Sequence, residues 1–426
     1  MRNQLRLVLV SLALGGMAIS VSGCSSNASV DEPTVSTMSS GGADTGGGNG
    51  STSGGTSQLP PGTLTAAGWD DNLNFAWYQK DLASPPMVEG VPMVPRADRL
   101  LVEGFDSGGR PLAGAAVTVG HAGQTMLAAP LAADGRLWLF PEHDGFQHGD
   151  AIDVTATING VSVTGSARAG DTTLKLVAQT VAGPPSAFDV AIVLDTTGSM
   201  GDEIRYLGTE IAGIASALAH DYPGTAQRWA LVCYRDVGMG DEYSVRTFDF
   251  SDAVTLQKEI AAQDASGGGD YPESPELGLD AAAHLAWSSG SVARLVFHIA
   301  DAPHHAGHEQ ALIAAVDGLR NVGARIYPVS ASGADELLHF TMRTEAELTG
   351  GRFLWLTDDS GVGGMHLDTG LPCYWVTKLN REMVRMIEME LTGGEVPLAT
   401  GDIVRSVGSP MNGQCRLADG SVVNAL

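Results

Sequence analysis

Basic residues are scarce in this chain. Of its 426 residues, 24 are Lys or Arg and 49 are Asp or Glu, which gives a formal net charge of −25. Nucleic acids and anionic membrane faces are bound through clusters of basic residues. The scarcity of Lys and Arg therefore excludes a basic surface that would bind either of them. An acidic surface instead favours divalent cations and basic protein partners.

Cysteine is also rare, and most of the chain lacks long apolar runs. Four Cys residues in this length exclude a disulfide-dense scaffold. A mean hydropathy near zero excludes a multi-span membrane protein. Hydrophobic residues still make up 43% of the chain, which is enough to bury the cores of two or three domains.

The first 24 residues have the pattern of a targeting segment. Arg2 and Arg6 precede the apolar run from Leu7 to Ile19, which is too short for a comfortable membrane span and is typical of a signal peptide. The sequence VSGC that ends at Cys24 resembles a bacterial lipobox. The resemblance implies that Cys24 is lipidated and becomes the mature N-terminus. The alternative is an ordinary cleaved signal with an incidental Cys.

A flexible tether is predicted for residues 25–62. This segment consists largely of Gly, Ser, Thr and Asn and cannot bury a core. A lipid, a tether and a folded remainder predict a lipid-anchored protein of the cell envelope. Ser25 favours the outer membrane or the cell surface in a Gram-negative bacterium.

A β-sandwich is predicted for residues 63–183. Short runs rich in Val, Thr and Ile lie between Arg99 and Val177, and they are separated by turn pairs such as Asp134-Gly135 and Asn159-Gly160. The segment from Leu64 to Leu82 is expected to form a short helix or an ordered lead-in. The stretch DSGGRPLAGAAVTV resembles carboxypeptidase regulatory-like or Ig-like sandwiches, which implies a spacer or binding module.

Residues 186–360 predict a doubly wound α/β domain with a mostly parallel sheet. The apolar run from Phe188 to Leu194 is typical of a strand that is buried on both faces. Strands and helices then alternate, as such a sheet requires. The predicted strands are 228–234, 245–250, 295–300, 326–330 and 353–356. The predicted helices are 200–220, 253–263, 276–287, 309–322 and 335–348.

Oxygen-bearing side chains follow the first of these strands at every second position. Asp195, Thr197 and Ser199 offer one carboxylate and two hydroxyls, a set that suits a hard divalent cation. The stretch FDVAIVLDTTGSMGDEI resembles the von Willebrand factor type A family, whose metal-ion-dependent adhesion site carries Asp-x-Ser-x-Ser. Thr197 replaces the middle Ser and keeps the hydroxyl. The resemblance implies a site for Mg²⁺, or Mn²⁺ or Ca²⁺, whose shell is completed by a carboxylate of a protein partner.

The same resemblance implies two further ligand loops. The family places a Thr in the second loop, where this chain has GGGDYPE, so Asp270 or Glu273 is expected to take that role. The third loop places an Asp after a buried strand, and Asp301 matches it. Asp236 is a weaker candidate. The four histidines at 298, 304, 305 and 308 are expected to be surface or loop residues and not zinc ligands.

Two other functions compete with adhesion. The string Asp195-Thr-Thr-Gly-Ser is similar to the nucleophile loop of haloacid-dehalogenase-type phosphotransferases, with Asp358-Asp359 as an acidic loop. That chemistry needs a nearby Lys, and only Lys258 lies between the two motifs, inside a predicted helix. We therefore expect no enzymatic activity. The other alternative is a structural lipoprotein whose site binds no metal.

The C-terminal segment, residues 361–426, is expected to hold a helix from Tyr374 to Leu391 and a tail. In an oxidising compartment, Cys373 and Cys415 are predicted to form a disulfide. Cys233 lies in an apolar run and is predicted to be a buried free thiol.

Overall fold

The structure is a computed structural model, and it describes residues 62–84, 87–238, 240–361 and 364–426. The predicted signal peptide, Cys24 and all but the last residue of the predicted tether lie outside the described residues. Among the described helices, none combines the length and the hydropathy needed to cross a membrane.

The described residues form nineteen strands and seven α-helices. The strands are β1 (Thr65–Trp69), β2 (Leu100–Asp106), β3 (Ala116–His121), β4 (Gln124–Pro130), β5 (Arg136–Leu139), β6 (Ala151–Ile158), β7 (Val161–Arg168), β8 (Thr173–Ala178), β9 (Ala187–Asp195), β10 (Ala226–Tyr234), β11 (Val245–Ser251), β12 (Val292–Ala300), β13 (Arg325–Ile326), β14 (Val329–Ser330), β15 (Phe353–Thr357), β16 (Tyr374–Lys378), β17 (Arg405–Val407), β18 (Gln414–Arg416) and β19 (Val422–Asn424). The helices are α1 (Phe75–Leu82), α2 (Gly201–Asp221), α3 (Ala253–Ala261), α4 (Pro275–Ala283), α5 (Glu309–Val322), α6 (Glu336–Thr349) and α7 (Leu379–Thr392).

A large mixed sheet organises the α/β part of the chain. Its strand order is β11-β10-β9-β12-β14-β15-β1-β16-β17, and β13 pairs with β12 beside this path. The five strands from β10 to β15 in that order are parallel, whereas β11, β1, β16 and β17 pair antiparallel. The central strand β9 is buried over eight of its nine residues, as its apolar sequence predicts. The predicted fold class is confirmed.

The sequence places most helices correctly because their caps are local. Asp252 accepts hydrogen bonds from the backbone N–H groups of Val254 and Thr255 and so begins α3. Asp335 does the same for α6 through Leu338 N–H. Helices on both faces of the sheet bury two apolar cores. This layering leaves the carboxyl ends of the parallel strands open at one edge, where ligands bind in such folds.

Residues 100–178 form the predicted sandwich. One sheet has the order β5-β2-β8 and the other β4-β3-β6-β7, and a third apolar core lies between them. Buried and exposed residues alternate along β2 and β6, which is typical of sheets with one face on a core.

Buried ion pairs fix the sandwich to the α/β part, with which it forms one compact unit. The Arg320 guanidinium of α5 contacts both carboxylate oxygens of Asp144 at 2.7 and 2.8 Å and donates to the carbonyl of Trp138. Arg325 joins Asp134 of the sandwich to Glu390 of α7.

The domain boundaries drawn at 63 and 360 are wrong in one respect. β1 lies between β15 and β16, so the predicted lead-in is an internal strand of the large sheet followed by α1. The segment after 360 contributes β16, β17 and α7 to the same layers. The sandwich is therefore inserted into the α/β domain, and the boundaries were missed because the pairing of β1 spans nearly 300 residues.

Two secondary-structure predictions also need correction. The helix predicted from Tyr374 begins only at Leu379, because Tyr374–Lys378 pairs with β1 and β17. The strand predicted at 326–330 is split into β13 and β14. The structure links Cys373 to Cys415, with Cα atoms 6.0 Å apart, and leaves Cys233 buried and free.

Candidate functional site

The first loop of the candidate site begins where β9 ends at Asp195. Asp195 is fully buried, and its Oδ1 accepts hydrogen bonds from the backbone N–H and the hydroxyl of Thr197, at 2.8 and 2.7 Å. Thr197 Oγ1 lies 3.4 Å from Ser199 Oγ. The three predicted donors of this loop therefore lie together, with Asp195 and Thr197 buried and Ser199 exposed.

The second loop is a run of glycines that passes close to the first. Gly198 N–H donates to the carbonyl of Gly267 at 3.2 Å, and Ser266 N–H donates to the carbonyl of Thr196. Gly268 has a φ of +94°, and a Cβ at this position would lie 2.7 Å from Glu273 Oε1. Only glycine fits this close approach without strain.

The structure separates the two acidic candidates of this second loop. Glu273 is 3% exposed, and its carboxylate lies close to the Thr197 side chain, since a Cβ on Gly268 would come within 2.7 Å of Glu273 Oε1 and 3.2 Å of Thr197 Cβ. Its backbone N–H donates to the carbonyl of Pro303 at 2.8 Å, which fixes the residue on the inside of the loop. Asp270 is exposed at the rim of the site. Glu273 is therefore the one of the two that lies beside Asp195 and Thr197.

The third loop follows β12 and brings Asp301 to the same place. Asp301 is 4% exposed, and its carboxylate accepts a hydrogen bond from the Ser199 hydroxyl. β9 and β12 are adjacent and parallel, so Asp195 and Asp301 follow the ends of neighbouring strands. The residues predicted from three separate loops meet at one edge of the sheet.

Little positive charge lies near the carboxyl groups of this site, and their pKa values are raised. Burial, followed by the charge of Asp301, raises the pKa of Asp195 to about 7. Burial and the charge of Asp195 raise the pKa of Glu273 to about 9. Burial raises the pKa of Asp301 to about 6, although the Ser199 hydroxyl opposes the shift. Burial is the largest cause of all three shifts, and the charges of neighbouring carboxylates add to it, because buried carboxylates close together disfavour one another's ionisation.

Each of these carboxyl groups has one buried oxygen without a hydrogen-bond partner among the described residues. The three atoms are Asp195 Oδ2, Glu273 Oε2 and Asp301 Oδ1. Buried polar atoms are normally paired, so such a group needs a ligand or a proton to satisfy it. A hard cation bound by oxygen atoms fits this donor set.

Acidic groups alone do not form the site. Among the described residues, no three His, Cys, Asp or Glu side chains lie in an arrangement that could hold a metal by themselves. The predicted donor set differs from such a group because it includes the hydroxyls of Thr197 and Ser199.

Sequence reasoning missed a fourth carboxylate near the site. Glu203, in the first turn of α2, is buried, accepts hydrogen bonds from Ser332 and raises the pKa of Asp301. Its position at a helix N-terminus favoured a purely local role. Only the packing of the loop after β14 shows the contact, which has no sequence signal.

The histidine prediction is wrong for His298, which lies inside β12, whereas His304 is a loop residue but a buried one. His298 is fully buried and lies 3.0 Å from Tyr234 Oη and 2.8 Å from Glu345 Oε2. His304 is 1% exposed and contacts the carbonyl of Gly90.

The other two histidines each contact a carboxylate. His305 Nε2 lies 2.7 Å from Asp236 Oδ1, and His308 Nδ1 lies 2.8 Å from Glu276 Oε1. Asp236 also accepts from the Ser274 hydroxyl, so it supports the neighbouring loops.

The parts of the phosphotransferase alternative are engaged elsewhere. Lys258 is an exposed residue of α3. Asp358 accepts from His366, and Asp359 forms a two-point ion pair with Arg405. These contacts occupy the two acidic groups that the phosphotransferase alternative assigns to its second motif.

Three solved structures resemble part of the chain in fold. The pilus adhesin SpaC from Lactobacillus rhamnosus GG is 11% identical, with a TM-score of 0.31, and the match covers 47% of this chain but only 30% of SpaC. BatB from Bacteroides thetaiotaomicron is 14% identical with a TM-score of 0.31, over 48% of this chain and 98% of BatB. The vWF domain of the type V pili tip protein Mfa5 from Porphyromonas gingivalis is 14% identical with a TM-score of 0.32, over 51% and 99%.

A family model gives the more specific finding. No curated protein sequence matches the chain significantly. Residues 189–321, however, match the model of the von Willebrand factor A domain. This range runs from β9 through the glycine loop and Asp301 to the end of α5, so it contains every residue of the candidate site. Residues 189–321 therefore belong to the von Willebrand factor A domain family.

Proposed function

We propose that this von Willebrand factor A domain binds a protein partner through a divalent cation. The ligands are Asp195, Thr197 and Ser199 of the first loop, together with Asp301 and Glu273. The proposal is carried by one observation: three buried carboxyl groups come together here, and each has an oxygen with no hydrogen-bond partner among the described residues. Direct ligation and ligation through water are both compatible with this set.

The donor chemistry selects the type of cation. The five side chains offer oxygen atoms only, which suits Mg²⁺, Mn²⁺ or Ca²⁺ better than a metal that prefers nitrogen or sulfur. A cation would also supply the opposite charge that the buried carboxyl groups of Asp195, Glu273 and Asp301 lack, and so would lower their raised pKa values. Mg²⁺ is the first candidate because two hydroxyls and few carboxylates suit a cation that retains water.

The partner is expected to supply a carboxylate. The site lies at the open edge of the sheet, and exposed Ser199 borders a cavity of about 790 Å³. A cation held from one side only has coordination positions left for an outside ligand. A carboxylate of the partner would complete the shell, and removal of the cation would abolish the interaction.

The place of action is proposed to be the cell envelope. The basis is the targeting segment that ends at Cys24, and the lipid on this residue would hold the protein at the outer membrane or the cell surface. Mass spectrometry of the mature N-terminus should find an acylated Cys24. A mature chain that begins at another residue contradicts the lipid anchor but leaves the metal site unaffected.

Calorimetry with the purified chain tests the metal site. Titration of the wild type with Mg²⁺ should show one binding event. Asp195→Asn should abolish it, because the substitution removes the main charge and leaves the shape almost unchanged. Asp153→Asn, which removes an exposed carboxylate of the sandwich, is the matched control and should bind as the wild type does.

The partner is tested with envelope extracts. The wild type should retain a protein in Mg²⁺, lose it in EDTA and regain it when Mg²⁺ or Mn²⁺ is restored. Absence of divalent binding in calorimetry favours the alternative of a structural protein without a metal. Labelling of Asp195 by an acyl phosphate would favour the phosphotransferase alternative.

A further inference from the structure

The candidate metal site lies at the bottom of a groove that is much larger than one carboxylate needs. The cavity of about 790 Å³ is bordered by Ser199 and Asp301, by Tyr271 on one wall and by residues 364–368 on the other. A second cavity of about 670 Å³ shares residues 366–368 with the first and continues the groove toward Arg405. Volumes of this size hold ligands of several residues.

Hydrogen bonds to one loop fix both walls of the groove. The Tyr271 hydroxyl lies 3.3 Å from the carbonyl oxygen of Asp301 and 3.2 Å from that of Gly333, and it can donate its proton to either of them. Gly333 N–H donates to the carbonyl of Met365 at 3.1 Å. The walls are therefore formed in advance, which lowers the entropic cost of binding.

Apolar surface is exposed on both walls. Tyr271 is 44% exposed and Met365 is 85% exposed. Large apolar side chains with this exposure at the mouth of a groove are typical of interaction sites, since burial of their surface is favourable.

The charge of the groove is negative outside the metal site as well. Asp270 and Asp368 are exposed on its rim, and neither forms an ion pair within the described part of the chain. The cationic groups nearby are already engaged, since His366 contacts Asp358 and Arg405 contacts Asp359. A partner that brought only carboxylates would be repelled by this rim, and a partner with a cation would be attracted.

We propose that the groove binds an extended segment of a protein partner in which the metal-directed carboxylate is accompanied by an apolar side chain and by a Lys or Arg. The apolar side chain packs between Tyr271 and Met365, and the basic side chain pairs with Asp368. This inference rests on the proposed function, because the carboxylate is directed to the cation at Asp195 and Asp301. It adds the two features that distinguish this partner from any other acidic protein.

Synthetic hexapeptides provide the test, with the full chain in Mg²⁺ and binding followed by fluorescence polarisation. The probes carry Lys-Phe-Asp or the reverse order on one alanine background. Matched peptides replace Lys by Glu, Phe by Ser or Asp by Asn. Loss of the Lys should weaken binding about fivefold and loss of the Phe about tenfold. Loss of the Asp should abolish it.

Two variants assign these preferences to their residues. Asp368→Asn should remove the preference for Lys over Glu and leave Mg²⁺ binding in calorimetry unchanged. Met365→Ser should reduce only the preference for Phe. Both residues are exposed, so neither change threatens folding, and Asp153→Asn is the control for a lost surface charge.

The outcomes separate this inference from the proposed function. Failure of the wild type to bind Mg²⁺, or peptide binding that persists in EDTA, overturns the proposed function and this inference with it. Mg²⁺ binding with equal affinity for all peptides that carry Asp overturns the groove inference alone. Mg²⁺ binding with no peptide bound at all overturns it too.

Discussion

The carboxylate of Glu273 would help to bind a cation, but it destabilises the folded protein when no cation is present. Its folded pKa of about 9 lies far above the ordinary value of 4.5. The carboxyl therefore contributes its full stability below pH 4.5, and that contribution is lost as the pH rises toward 9. In EDTA at pH 8, Glu273→Gln should be more stable than the wild type by an amount on the order of 2 to 4 kcal/mol.

Chemical denaturation at two pH values checks this prediction. The difference between Glu273→Gln and the wild type should shrink toward zero near pH 4, where the carboxyl is protonated in both states. Glu142→Gln, at an exposed position of the sandwich, should show no such dependence. A stability gain that is the same at both pH values would contradict the ionisation argument.

At the residue scale, the sequence predicted the site where spacing is local. Asp195, Thr197 and Ser199 are close together because only one residue separates each from the next. The choice between Asp270 and Glu273 could not be made in this way. It depends on the hydrogen bond from Glu273 N–H to the carbonyl of Pro303, a contact between two loops that no local pattern encodes.

The glycine loop is the element that determines how closely the ligand loops approach. Gly268→Ala would put a Cβ 2.7 Å from Glu273 Oε1 and 3.2 Å from Thr197 Cβ, at a φ of +94°. The substitution should weaken Mg²⁺ binding at least about tenfold, because both side chains must move, and should destabilise the fold by about 1 to 3 kcal/mol. Calorimetry and urea denaturation measure the two effects.

Gly109 offers a control with the same backbone strain. Its φ is +84°, and a Cβ there would meet nothing within 4 Å. Gly109→Ala should therefore lose about 1 kcal/mol of stability with Mg²⁺ affinity unchanged. Equal losses of Mg²⁺ affinity in the two variants would show that the contact at Gly268 has no special role.

At the element scale, the hydrophobic pattern of the sequence predicted the strands that are buried on both faces. β9 and β12 are buried on both faces and carry continuous apolar runs. β1 is buried over its whole length, but its sequence TAAGW has few of the β-branched residues that mark a strand. β16 directly precedes α7, and its apolar residues fit the helical spacing of α7. The sequence pattern therefore does not show that the helix begins at Leu379.

At the scale of the whole molecule, the buried ion pair between Arg320 and Asp144 helps to join the sandwich and the α/β domain into one unit. This ion pair is called the joint below. The side chains of Arg320 and Asp144 are 3% and 5% exposed. Arg320→Ala leaves a buried carboxylate without its cation and should lower the free energy of unfolding by about 3 kcal/mol. Urea denaturation should also change from one transition to two, because the sandwich loses one of the buried ion pairs that join it to the α/β part.

An exposed arginine provides the comparison. Arg381 is 56% exposed and lies 3.7 Å from Asp402, so Arg381→Ala should cost less than about 1 kcal/mol. If Arg320→Ala has an effect as small as this, the joint contributes little and the two parts are held by apolar contacts alone.

The position of β1 in the large sheet determines the order in which parts of the chain can fold during synthesis. Thr65 contacts Thr357, which is synthesised 292 residues later, and β1 also needs β16 as its other neighbour. The sandwich strands β2 to β8 are contiguous in sequence and can close first, whereas β1 cannot pair with both of its neighbours until residue 378 has emerged. One of the earliest strands to be made is therefore among the last to find its place.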